Sequence, residues 1–194
     1  VIPPRFDDVG PLMEGLAAAK QGERWGYIDM RGDWVIEPQF GLAEPFSEGL
    51  AEVKIGEQFA FIDGRGNLLF DRRFASTGAF SGGVAMAAKV DQLWGYLDRA
   101  GRWVIAPRFV QAGRFSEGLA AAAETEGSVG YIDLRGRFVI APQFEHGTWF
   151  SNGRDVVQRA VLPAGETGES LPAPLARLAL IDVEGRQIAP INWH

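Results

Sequence analysis

The 194-residue sequence has no cysteine. Thiol catalysis, disulfides and cysteine-ligated metal are thereby excluded. The absence suits an oxidising envelope as well as a cytosol, and we prefer the periplasm or cell surface. Histidine is nearly missing too: His146 lies in the loop after Phe144 and His194 is the last residue. No His-x-x-x-His spacing occurs, so a built metal site is not expected. No apolar run reaches the ~18 residues a membrane-spanning helix needs. Positive charge is the minority, with 19 Lys and Arg against 25 Asp and Glu. The net charge of −6 and a pI near 5.0 argue against nucleic acid or anionic lipid as partner. No Gly-x-Ser-x-Gly elbow, phosphate-binding loop or dinucleotide fingerprint is present. Neither an enzyme nor a cofactor is expected.

What the chain does contain is repetition. Trp94-Gly95-Tyr96-Leu97-Asp98 runs through Gly101 and Trp103-Val104-Ile105 to Pro107-Arg108-Phe109. Trp25-Gly26-Tyr27-Ile28-Asp29 does the same through Gly32, Trp34-Val35-Ile36 and Pro38-Gln39-Phe40, and Val129-Gly130-Tyr131-Ile132-Asp133 through Gly136, Phe138-Val139-Ile140 and Pro142-Gln143-Phe144. Degenerate copies begin at Phe59 and Leu178. Asp three residues before Gly marks a type I turn, with the carboxylate bonded to a backbone N–H two residues on and the glycine at positive φ. Aromatic and β-branched residues flank each turn and form strands. The prolines are expected to end the second strand, since proline cannot donate to a ladder.

A second phrase recurs between these hairpins: Phe46-Ser47-Glu48-Gly49-Leu50-Ala51, Phe80-Ser81-Gly82-Gly83-Val84-Ala85 and Phe115-Ser116-Glu117-Gly118-Leu119-Ala120. Weaker forms lie at Glu14-Gly15-Leu16-Ala17 and Phe150-Ser151-Asn152-Gly153. Ser-x-Gly reads as a turn. The alanine-rich runs that follow have helical propensity, but they are too short for a stable helix, so a third strand per unit is expected. Two of the recurring Glu14, Glu48 and Glu117 could in principle supply the carboxylate pair of a glycosidase; as equivalent turn residues they are expected to face solvent instead.

The turn aspartates fall at 29, 63, 98, 133 and 182, giving steps of 34, 35, 35 and 49. Such a period means a solenoid, a propeller or another array. Residues 1–6 match residues 104–109 and are expected to close a preceding repeat; the repeats proper are 7–40, 41–74, 75–109, 110–144 and 145–194. The second has lost its Trp, Pro and second-strand aromatic (Phe59, Arg72, Leu68), and the last carries an insertion at about 162–177. The expected fold is all-β: a tandem array of about five three-stranded antiparallel units of ~35 residues, stacked because none holds a core alone. An open, solenoid-like stack is preferred, because the repeats are uneven; a closed five-bladed propeller-like ring is the alternative.

Together these phrases resemble the WG repeat family over nearly the whole chain. The resemblance implies a β-rich bacterial repeat protein with no shared catalytic centre, acting as an interaction module. Trp25-Gly26 and Trp94-Gly95 carry the naming dipeptide, Val129-Gly130 keeps its glycine, and Phe59-Ala60 and Leu178-Ala179 keep neither.

The expected function is a non-catalytic protein–protein interaction scaffold, with a carbohydrate-binding module of the bacterial envelope as the alternative. Arg31, Arg65 and Arg135 each precede a turn glycine and would form a basic ladder suited to a partner's carboxylates. Trp149 lies off the main phrases and is a candidate exposed aromatic; Trp25, Trp34, Trp94 and Trp103 are assigned to inter-repeat packing. The Gly- and Pro-rich insertion is read as a surface excursion, or else as a partner-binding loop offering Glu166 and Glu169.

Overall fold

The computed structural model describes residues 5–70, 74–89, 93–159 and 178–190. Every regular element among them is a strand, and every pairing is antiparallel. Two compact units divide the chain at 107/108.

The first unit begins with a sheet of β1 (Asp8–Met13), β2 (Leu16–Gln21), β3 (Arg24–Ile28) and β4 (Trp34–Phe40), in that order. A three-stranded sheet follows: β5 (Leu42–Ala43), β6 (Leu50–Ile55) and β7 (Gln58–Asp63). Next come β8 (Ser76–Thr77), β9 (Val84–Ala88), β10 (Trp94–Asp98) and β11 (Trp103–Phe109), the last ending at the border of the unit. The second unit is one seven-stranded meander of β12 (Gln111–Ala112), β13 (Ala120–Ala123), β14 (Val129–Ile132), β15 (Phe138–His146), β16 (Arg154–Arg159), β17 (Leu178–Asp182) and β18 (Gln187–Pro190).

The three strands expected per repeat are present except in the second, where the strand after the turn is reduced to the isolated bridges of Phe59 with Phe74 and Ile62 with Leu68; a further strand precedes them in the first four repeats: β1, or the two-residue strands β5, β8 and β12. These are too short to leave a periodic signal in the sequence. The alanine runs are strands, as period and length required. Ala17, Ala51, Ala85 and Ala120 are buried, because small side chains let the adjacent layer approach.

Pro38, Pro107 and Pro142 do not end their strands. β4, β11 and β15 run on through Pro38, Pro107 and Pro142 to a buried phenylalanine. Trp25 pairs with Phe40 and Tyr27 with Ile36, so four steps on β4 answer two on β3. Val129 with Phe144 and Tyr131 with Ile140 repeat the pattern. Proline sits in a bulge, where no ladder donor is required. This bulge explains the glycine of the naming dipeptide. A Cβ on Gly26 would lie 2.3 Å from the Ile36 carbonyl oxygen, and on Gly130 2.5 Å from that of Ile140. Backbone cannot move aside as a side chain can. The copy with Ala60 has also lost the proline, with Arg72 in its place.

Three joints recur between successive repeats. The buried ring of one hairpin packs edge-on against the phenylalanine of the next Phe-Ser phrase: Tyr27 on Phe46 at 4.8 Å, Phe61 on Phe80 at 5.0 Å and Tyr131 on Phe150 at 5.0 Å. The serine hydroxyl of one phrase donates to the next phenylalanine's carbonyl, Ser47 to Phe80 at 2.8 Å and Ser116 to Phe150 at 2.7 Å. The turn glycine packs on a side chain of the repeat before it: Gly66 on Ile36, Gly101 on Phe70 and Gly185 on Ile140.

Candidate functional site

The Ser-x-Gly turns have both central residues left-handed. φ is 53° at Glu14, 55° at Glu48, 53° at Glu117 and 54° at Asn152, each followed by a glycine at positive φ. This is the type I′ hairpin turn, for which Asn-Gly is the favoured pair. Glutamate is unfavourable there by about 1 kcal/mol. Its carboxylate instead reaches the turn of the following repeat. Glu14 accepts the Gly49 N–H at 2.8 Å, Glu48 the Gly83 N–H at 3.0 Å, and Glu117 the Gly153 N–H at 2.8 Å. Arg99 adds a bond to Glu48 at 3.1 Å. The glutamates therefore do not simply face solvent: they form rungs 35 or 36 residues apart. Their role is to join repeats.

The hairpin aspartates behave as the sequence required. Asp29, Asp63, Asp98, Asp133 and Asp182 each accept the N–H two residues on at 2.8–3.0 Å, and that of the residue four on as well. The backbone N–H of Asp33, Arg102 and Arg137 holds Asp29, Asp98 and Asp133 below the usual carboxylate range, and the Asn67 amide does so for Asp63. At Asp182 burial pushes upward and the Arg186 contacts outweigh it. The charged partner of these aspartates stands after the turn glycine. Arg102, Arg137 and Arg186 ion-pair with Asp98, Asp133 and Asp182 at 2.7–2.8 Å. Arg31, Arg65 and Arg135, one place before the glycine, are exposed and give the turns their backbone N–H, and the charges of Arg31 and Arg65 add a smaller downward push on Asp29 and Asp63. Glu166 and Glu169 lie outside the described residues, as do His194 and Trp193. His146 ends β15 rather than lying in a loop, because that strand extends to pair with β16 at Gln158.

Of the residues selected from sequence, Trp149 is placed in a recess. It lines an open cleft of about 690 Å³ with Thr148, Ser151, Asn152, Arg154, Asp155, Val156 and Leu180. The indole is 49% exposed. The Arg114 guanidinium sits over it, 4.6 Å from the ring centroid, a cation–π contact that fixes the ring and leaves its other side uncovered by arginine. Arg114 and Trp149 occupy the same phrase position in successive repeats, one residue before Phe115 and Phe150. The cleft floor is Asp155, buried where other copies have alanine. Its carboxylate accepts the Tyr131 and Thr148 hydroxyls, the Thr148 N–H at 3.1 Å and the Val156 N–H at 2.7 Å. Burial first, and then Asp155, pushes the Tyr131 phenol well above its ordinary range, so it stays a donor. This network anchors the loop carrying Trp149 to β14 and β16.

Repeat five thus keeps Phe150 and Gly153, which tie it to repeat four, together with Ser151 of the turn, and changes the residues around them. Thr148, Trp149, Asn152, Arg154 and Asp155 stand where the first full phrase has Glu44, Pro45, Glu48, Leu50 and Ala51. That clustered departure was available in the sequence; only Trp149 was selected from it. Among the described residues, no three Asp, Glu or His side chains converge on a point that could hold a metal, and no helix is long and apolar enough to cross a membrane.

The pattern defining the "WG containing repeat" matches residues 1–25, 25–58, 94–124 and 130–158, more than half of the chain. The chain belongs to the WG repeat family. No curated protein matches the sequence. Among solved structures, this WG-repeat chain is similar to the computationally designed Ika8 protein, with a TM-score of 0.57 at 10% identity over 93% of this chain and 60% of that one. It is likewise similar to Hsv2 of Kluyveromyces lactis, with a TM-score of 0.56 at 10% identity over 92% of this chain and 61% of that one. The chain spans about 60% of the length of these two proteins, and at this identity the likeness is one of fold alone.

Proposed function

We propose that this WG-repeat chain is a non-catalytic scaffold that binds another protein, and that repeat five supplies the contact. One observation carries the reading: Phe150 and Gly153, through which repeat five is tied to repeat four, are retained, while the positions around Trp149 change together, Asn152 at the glutamate position among them. Elsewhere the recurrent aromatic, serine, glutamate and aspartate side chains are consumed by packing and turn bonds. Binding residues grafted onto a rigid repeat are how such arrays acquire partners without altering their fold.

Selection of peptides from a random displayed library on the immobilised protein tests this. A recurrent peptide motif that is lost on Trp149→Ala, with the melting temperature unchanged, is the expected result. Enrichment that survives Trp149→Ala would remove repeat five from the account. The half-exposed indole beside Asn152 also suits a sugar ring, and binding of neutral oligosaccharides on a glycan array, abolished by the same substitution, would favour that second reading.

A further inference from the structure

Resting on the protein-binding reading of repeat five, we propose that the Trp149 cleft takes an extended peptide segment in which a carboxylate side chain adjoins an aromatic one. The argument is one of charge and surface. Arg114 and Arg154 are both exposed at this cleft. In the same unit Arg108, Arg137 and Arg186 each have a carboxylate partner. Among the described residues, no carboxylate is ion-paired with Arg114 or Arg154. Three acids nearby are already engaged: Asp155 is buried with four donors, Glu117 accepts the Gly153 N–H, and Asp182, opposite Arg154 across β16 and β17, is ion-paired with Arg186. A cationic rim therefore stands over a floor that has no acceptor capacity to spare, on a chain of net charge −6.

The contact with the indole restrains the Arg114 guanidinium, whose planar fork of N–H groups can give a carboxylate two bonds at once. Arg154 stands where other copies bury Leu50, Val84 and Leu119, so its charge is a property of this repeat and not of the repeat pattern. The apolar part of the cleft is the half-exposed Trp149, with Val156 and Leu180. An aromatic ring beside the carboxylate fills that surface. A neutral sugar would stack on Trp149 but leave both guanidinium groups without a counter-charge. β16 is paired with β17 along the cleft and with β15 at Gln158 and Arg159, and the proposed hold is by side chains.

The test uses fluorescein-labelled, end-capped peptides Gly-Glu-Tyr-Gly-Gly and Gly-Gln-Tyr-Gly-Gly in anisotropy titrations with the intact protein. The glutamate peptide is expected to bind at least about tenfold more tightly than the glutamine peptide, the weight of a charge-assisted hydrogen bond. Arg154→Gln should abolish that preference, Trp149→Ala should abolish binding of both, and Arg24→Gln, which is not among the residues lining the cleft, should change neither. Circular dichroism melting of each variant separates lost binding from lost fold. Equal affinity for the two peptides overturns the proposed chemistry. If the random library instead yields neutral or basic peptides that still need Trp149, the chemistry is overturned and the protein-binding reading stands. If no peptide binds and a neutral oligosaccharide does, both are overturned.

Discussion

Gly15 and Gly101 both have left-handed backbones, with φ of 87° and 72°, but they differ in surroundings. A Cβ on Gly15 would meet nothing within 4 Å, whereas one on Gly101 would lie 2.6 Å from the Phe70 ring of the preceding repeat. Alanine at position 15 should therefore cost only the left-handed strain, about 1–2 kcal/mol. At position 101 the same strain is joined by overpacking of about 1–3 kcal/mol, for a total of about 2–5 kcal/mol. Strain at positive φ alone gives about 1–3 kcal/mol for Gly101→Val, which underestimates it, since valine adds two methyl groups to the collision. Urea unfolding of Gly15→Ala, Gly101→Ala, Phe70→Ala and the double variant Phe70→Ala/Gly101→Ala measures each contribution. On the Phe70→Ala background the Gly101→Ala cost should drop to that of Gly15→Ala. Equal costs at the two glycines, or no coupling between positions 70 and 101, would refute the claim that turn glycines are where successive repeats touch.

Three further outcomes follow from the same geometry. Gly26→Ala should cost at least about 3 kcal/mol, because its Cβ would strike backbone; a melting temperature within a few degrees of the parent would sink the bulge account. Glu117→Ala should cost about 1 kcal/mol for the lost Gly153 bond, while Glu117→Asn should cost less, since asparagine relieves the left-handed strain; the reverse order would contradict the turn assignment. Glu52 is buried, and burial, with the Glu44 charge adding to it, raises its pKa. A carboxyl whose folded pKa is raised favours folding when protonated, below its unfolded pKa, and loses that advantage as pH rises through the folded value. Glu52→Gln should accordingly raise the melting temperature at pH 7 and give no gain below about pH 4; a gain independent of pH would assign the effect to something other than charge.

Much of the fold was legible because its determinants are local. Asp-x-x-Gly specifies a turn by bonds spanning two to four residues, and the aromatic and β-branched residues around Tyr27 or Tyr131 specify a strand. The proline reading went astray because a missing donor was weighed without the partner strand, whose glycine makes a bulge possible. The arginine ladder selected Arg31, Arg65 and Arg135, although the aspartate carboxylate turns toward the residue four on, as Arg102 and Arg137 show. Glu48 and Ser47 were opaque for a different reason: their partners lie 35 and 33 residues away, and nothing at those distances marks a backbone N–H or carbonyl as the recipient. Trp149 was found as an aromatic outside the pattern, but the cleft beside it depends on Asp155 replacing an alanine, a substitution whose meaning requires the strand register.

The glutamate rung ends on a main-chain amide, and this shapes how such a chain can grow. Main-chain amides are common to all copies, so a newly duplicated segment arrives with the socket its predecessor needs, whatever side chains it later acquires. Lengthening by tandem duplication then demands no matching pair of mutations, and individual copies are free to diverge toward new tasks while remaining fastened to their neighbours.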